Sequence, residues 1–132
     1  MMYLDHLVIN AKNVEKTTHF YRDLLGCEIE RWDAYVNAEV KFPSLRISDT
    51  FIIDVFPPAM WLNDKQASST PNINHFCIAT TPVHWQHIFN YVKDSGISLV
   101  KGPDEFWGAR GNGISIFVED PEGNTLEVRK YD

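Results

Sequence analysis

The chain has 132 residues, 44% of them hydrophobic and 23% charged, a balance that suits one folded domain with its own core rather than a disordered segment. A net charge of -6 argues against a nucleic-acid-binding surface, and no apolar run approaches the roughly 18 residues of a membrane span. Cys27 and Cys77 stand in no metal or redox spacing and read as reduced thiols; with no signal-peptide pattern in MMYLDHLVIN, they predict a cytoplasmic protein.

Residues 3–9 alternate and are rich in aliphatic side chains, which predicts a strand. A helix follows, with Asn13 as N-cap, Glu15 in the first turn, an apolar stripe of Val14, Thr17, Tyr21, Leu24 and Leu25, and Gly26 as its stop. Strand-like segments come next, near 28–33, 39–48 and 51–56. A Pro- and Ser-containing stretch, about 59–72, reads as a linker. The pattern then repeats. A strand at 74–79 leads to a helix capped by Thr81, begun by Pro82, striped by Trp85, Ile88, Phe89 and Val92, and ended by Gly96. Strands are predicted near 97–101, 114–119 and 124–130, the last two joined by the turn Asp120-Pro121-Glu122-Gly123-Asn124.

The repetition is visible in the residues themselves. At a shift of 69, His6 falls on His75, Ile9 on Ile78, Val14 on Val83 and Phe20 on Phe89; Gly26 and Gly96 match at a shift of 70. The chain is therefore read as α+β, with two βαβββ modules at about 1–58 and 73–132. A module of some 60 residues with one helix over its sheet is too small to stand alone, so the two are expected to associate.

Alternation separates the faces of each strand. Leu7, Ile9, Phe76, Ile78, Ile53, Val55, Leu126 and Val128 form the helix-facing sets, which leaves His6, His75, Asp54 and Glu127 on the other faces. Two histidines and two carboxylates suit a divalent first-row metal (Zn, Ni, Mn, Fe or Co), which would act as a Lewis acid. Read from alternation alone, a lone histidine in a strand is more often a structural residue than a ligand.

The stretches LDHLVINAKNVEKTTHFYRDLLGCEI, INHFCIA and GARGNGISIFVEDPEGNTLEVRKYD resemble the vicinal-oxygen-chelate superfamily of glyoxalase I, bleomycin-resistance proteins and extradiol dioxygenases. The most specific element is FVEDPEGNTLEV. The resemblance implies a curved, U-shaped mixed sheet around a metal cleft, with ligands at His6, His75 and Glu127 and with Asp54 at the fourth position, where glyoxalase-like members carry Glu. It implies a lyase or isomerase that chelates neighbouring oxygens of a small-molecule substrate, with Glu127 or Asp54 as base, and a homodimer. The alternatives are an extradiol-type dioxygenase and a metal-independent small-molecule-binding protein.

Five further residues are candidate substrate contacts. Arg46 is placed on the concave face, where it binds an anionic group or pairs with a carboxylate, and the same choice is open for Arg129. Phe56 and Phe117 are expected as apolar walls. Trp107 and Arg110 lie in or beside the glycine-rich segment 108–113, read either as a mobile loop at the cleft mouth or as an ordinary connection. His84 and His87 fall on the polar side of the second helix and read as solvated, and His19 has no partner in sequence.

Overall fold

The computed structural model describes residues 3–62 and 73–132, as two compact units that divide between Ser69 and Thr70. The first contains β1 (His6–Asn10), α1 (Val14–Leu25), β2 (Glu28–Glu30), α2 (Trp32–Val36), β3 (Ser44–Ser48), β4 (Phe51–Phe56) and α3 (Pro58–Trp61). The second contains β5 (Phe76–Thr80), α4 (Pro82–Ser95), β6 (Leu99–Gly108), β7 (Gly111–Glu119) and β8 (Thr125–Lys130). Each unit has one four-stranded mixed sheet. Their strand orders, β1-β4-β3-β2 and β5-β8-β7-β6, are the same topology, so the two units are repeated modules of one α+β design.

The long helices form where the caps predict. Asn13 accepts a hydrogen bond from the Lys16 amide at 3.0 Å, and Thr81 accepts one from the His84 amide at 3.2 Å. Gly26 and Gly96 end the helices in the left-handed conformation that a side chain resists. The stripe Val14, Thr17, Tyr21, Leu24 and Leu25 is buried, and α1 packs on β3 and β4 over Leu45, Ile53 and Val55. In α4, Trp85, Ile88 and Val92 are buried against β8, and the Trp85 indole donates to the Val128 carbonyl at 3.0 Å. Sequence identity between the modules does not always mean equal placement: Val14 is 7% exposed, but its counterpart Val83 is 68% exposed.

Four expectations are corrected. The strand predicted at 28–33 stops at Glu30, and α2 follows, with Arg31 at φ 63 turning the chain into it. The strand predicted from 39 begins at Ser44. The linker region carries the short helix α3, begun by Pro58; residues 63–72 lie outside the described residues. Finally, β6 and β7 extend to Gly108 and from Gly111, so the glycine-rich segment is a hairpin turned at Ala109 and Arg110 rather than a loop. The predicted turn at 120–124 is present. The Asp120 carboxylate accepts from the amides of Glu122 and Asn124, and Gly123 has φ 85. Among the described residues no helix is long and apolar enough to cross a membrane.

Candidate metal site

In the second unit, parallel pairing of β5 with β8 sets Cys77 beside Glu127 and Ala79 beside Arg129, so the off-helix face carries His75, Cys77, Thr125, Glu127 and Arg129. His75 Nε2 stands 3.1 Å from Glu127 Oε2. The other carboxylate oxygen, Oε1, accepts from Ser115 Oγ at 2.6 Å and from Arg129 Nη2 at 3.0 Å. Glu127 is 4% exposed and Arg129 3%. Burial opposes ionisation of Glu127, but the hydrogen bonds from Ser115 and Arg129, with the charges of Arg129 and His75, outweigh it and hold the carboxyl below the usual carboxylate value.

In the first unit, β1 runs parallel to β4 with Val8 beside Asp54. Asp54 is 8% exposed and accepts from Ser44 Oγ at 2.6 Å. His6 is exposed. Its hydrogen bond to Asp5 raises its pKa against the desolvation that lowers it, and the charge of Asp54 adds to the rise.

The two histidines are prepared in the same way. His6 Nδ1 lies 2.8 Å from Asp5 Oδ2, and His75 Nδ1 lies 2.7 Å from Asn74 Oδ1. Both oxygens are acceptors, so each ring turns an Nδ1–H to its neighbour and leaves Nε2 for another partner. That arrangement of an imidazole by an oxygen on its other nitrogen is the one metal-ligating histidines use. In His75 that partner is Glu127 Oε2 at 3.1 Å, which accepts a hydrogen bond from a protonated ring, while a cation shared by the two atoms takes the place of that proton on a neutral one. The donors therefore fit a divalent metal. Among the described residues no three His, Cys, Asp or Glu side chains are gathered as a metal cluster; the second unit offers the His75–Glu127 pair.

A cavity of about 420 Å³ in the second unit includes His75 and Glu127 together with Lys101, Phe106, Trp107 and Phe117. Phe117 stands edge-on to the His75 ring at 5.3 Å and to Phe106 at 5.2 Å, and the Lys101 ammonium lies over both phenyl rings. Phe117 and Trp107 thus line the same cavity as the His75–Glu127 pair. Arg110 is not. It lies at the hairpin tip over the Tyr131 ring, on a separate cavity with Ala79 and Thr80. Arg46 is held by Glu30 at 2.9 Å and by the Ser48 carbonyl, which leaves the salt-bridge reading for it; Arg129 is likewise occupied by Glu127. Phe56 packs against Phe42, with ring centroids 4.8 Å apart. His84 and His87 are exposed, and His19 has a ring partner in Trp32.

The residues that orient the site, namely Asp5, Asn74, Ser44 and Ser115, are not singled out by the sequence patterns above. The first two carry a readable signal, since Asp-His and Asn-His occupy the same place in the repeat. The two serines carry none, because only strand register brings them to the carboxylates.

The family model described as Glyoxalase/Bleomycin resistance protein/Dioxygenase superfamily matches residues 3–128. The chain belongs to this superfamily. Among its relatives is virulence protein STM3117 of Salmonella typhimurium, 30% identical over 97% of this chain and 83% of that protein. The crystal structure of that protein superposes with a TM-score of 0.78 at 26% identity, covering 100% of this chain and 98% of the other. A probable lactoylglutathione lyase of Synechocystis is 24% identical over 96% of this chain and 94% of its own length. In this chain Asp54, beside Val8, and Glu127, beside Cys77, stand at equivalent points of the two sheets.

Proposed function

We propose that the protein is a divalent-metal-dependent lyase or isomerase of glyoxalase type, acting on a small substrate with neighbouring oxygens. The observation that carries this reading is the approach of His75 Nε2 to Glu127 Oε2, with the opposite nitrogen and the opposite oxygen already committed to Asn74, Ser115 and Arg129. His6, prepared by Asp5 in the same manner, is the third ligand, and Asp54 accompanies it. The likeness to a probable lactoylglutathione lyase supports the reaction class.

When bound, the metal supplies electrostatic stabilisation of negative charge developing on the substrate oxygens. The chain's own residues do the rest. Glu127, held low by its hydrogen bonds, stays ionised and suits ligation better than proton abstraction. In this reading Asp54 takes the base role, with Ser44 fixing one of its oxygens. Phe106 and Phe117, with the exposed Trp107 at the edge, line the His75 side and hold the apolar part of the substrate. The active form is a homodimer.

Elemental analysis and metal-dependent melting test the reading. Purified protein is expected to hold a transition metal and to melt higher with added Mn, Ni, Zn or Fe. His6→Ala and His75→Ala each abolish that response, and His84→Ala does not. Less than about a tenth of an equivalent of any metal, with no shift in Tm on addition, refutes metal dependence. Equal effects from all three variants refute the assignment of ligands. A screen of the metal-loaded protein on hemithioacetals then tests the reaction, and light scattering tests the dimer.

A further inference from the structure

The glycine-rich segment 108–113 has a use that the proposed function does not account for. Gly111 has φ 95, with open space where a side chain would stand, so its backbone conformation explains it. Gly108 is different. It has no positive φ, yet a Cβ there would fall on the Arg129 guanidinium and crowd the Tyr131 hydroxyl. The missing side chain, rather than backbone freedom, is what this position requires.

The guanidinium seated on Gly108 is fully engaged. It donates to Glu127 Oε1 at 3.0 Å, Ser115 Oγ at 3.2 Å, the carbonyls of Phe106 at 3.1 Å and Trp107 at 2.9 Å, and the Tyr131 hydroxyl at 3.1 Å. Ser115 also donates to the same Oε1. One hydrogen bond leaves a carboxylate free to swing; two donors from different strands, one of them a planar fork, do not. Lysine offers only a point charge and cannot span these acceptors.

We propose that Arg129, seated on the bare backbone of Gly108, is the positioning residue that turns Glu127 so that Oε2 meets His75 Nε2. The consequence for metal binding rests on the functional reading above; the positioning itself does not. It also ties Phe106 and Trp107, which line the cavity, to the orientation of Glu127.

The test uses Arg129→Ala, Arg129→Lys, Gly108→Ala and the double variant Gly108→Ala/Arg129→Ala, with methylguanidinium as the added probe. In metal-free protein, the imidazole nitrogen chemical shifts of His75 report its contact with Glu127. All four variants are expected to move them. Methylguanidinium restores them in Arg129→Ala, but not in the double variant, where the methyl introduced at position 108 fills the seat. Metal affinity in Arg129→Ala is expected to fall about 10- to 100-fold, the usual effect of losing a partner of a ligand, and to recover with the probe. Should Arg129→Ala fail to fold, Gly108→Ala carries the test alone, since it retains the arginine. Unchanged His75 shifts in Gly108→Ala and Arg129→Ala overturn the proposal, as does equal rescue of the single and double variants. If the shifts behave as expected but the wild-type chain takes up no metal, the functional reading fails and the positioning stands. If metal binds and Arg129→Ala binds it equally with His75 undisturbed, the positioning fails alone.

Discussion

Replacing Glu127 by Gln separates charge from shape at the centre of the second unit. The introduced amide retains an oxygen for Ser115 and Arg129 but leaves the guanidinium without its counter-charge. Both partners of this pair are almost wholly buried, and removing one member of a buried pair costs about 3–5 kcal/mol. Arg129 keeps the Phe106 and Trp107 carbonyls, which places the loss at the lower end, about 3 kcal/mol. For a chain of 132 residues this is roughly 10 °C in Tm. The comparison is Glu30→Gln, which breaks a half-exposed pair with Arg46 and is expected to cost less than about 1 kcal/mol. Urea unfolding from pH 7 down to pH 3 measures both. The folded-state carboxyl of Glu127 is held below its unfolded value, so its contribution is complete above the ordinary value of about 4.3 and is lost as pH falls through the folded value. The gap between wild type and Glu127→Gln therefore narrows in acid. A gap that is constant or widening from pH 7 to pH 3, or no gap at pH 7 with an unchanged m-value, refutes the account of the buried pair.

Three further outcomes are expected. Ser44→Ala removes the 2.6 Å donor to buried Asp54 and should lower stability by about 1–3 kcal/mol by urea unfolding; a neutral result means that Asp54 is satisfied by water. Desolvation pushes the Cys77 thiol up to about 12, with the Glu127 charge adding to it, and pushes Cys27 up to about 11. Iodoacetamide at pH 8 should therefore label native protein far more slowly than a free thiol, and rapid labelling of Cys77, which is exposed, would contradict the upward push on its thiol. Trp85→Phe keeps most of the ring but loses the donor to the Val128 carbonyl, at a cost of about 1 kcal/mol in chemical denaturation, and a Tm equal to wild type would show that bond to be idle.

Local rules govern most of what is legible in the residue order. Asn13, Thr81, Gly26, Gly96 and the turn at 120–124 act within a few residues of backbone, so the ends of both helices and the last hairpin can be read without any tertiary information. Alternation likewise assigns the faces of β4 and β8 and puts Asp54 and Glu127 off the helix side. The segment 31–43 is not legible because the signal for α2 is weak: five residues, no side-chain cap, and a start that depends on Arg31 in a left-handed conformation. The extension of β6 and β7 is hidden because glycines that normally break strands here accommodate neighbours, Gly108 the Arg129 guanidinium and Gly113 the Lys130 carbonyl.

From the order of its residues alone, this chain could be assigned two α+β modules, their duplication and the equivalence of His6 with His75 and of Asp54 with Glu127. Those features rest on periodicity and capping, which are interactions between near neighbours in sequence. Which oxygen of Glu127 stays available, which arginine holds it and why residue 108 lacks a side chain were decided only by the tertiary structure. Each depends on strands separated by up to about fifty residues being brought into register, and pairing between distant strands follows from cooperative burial of the whole sheet rather than from any local pattern.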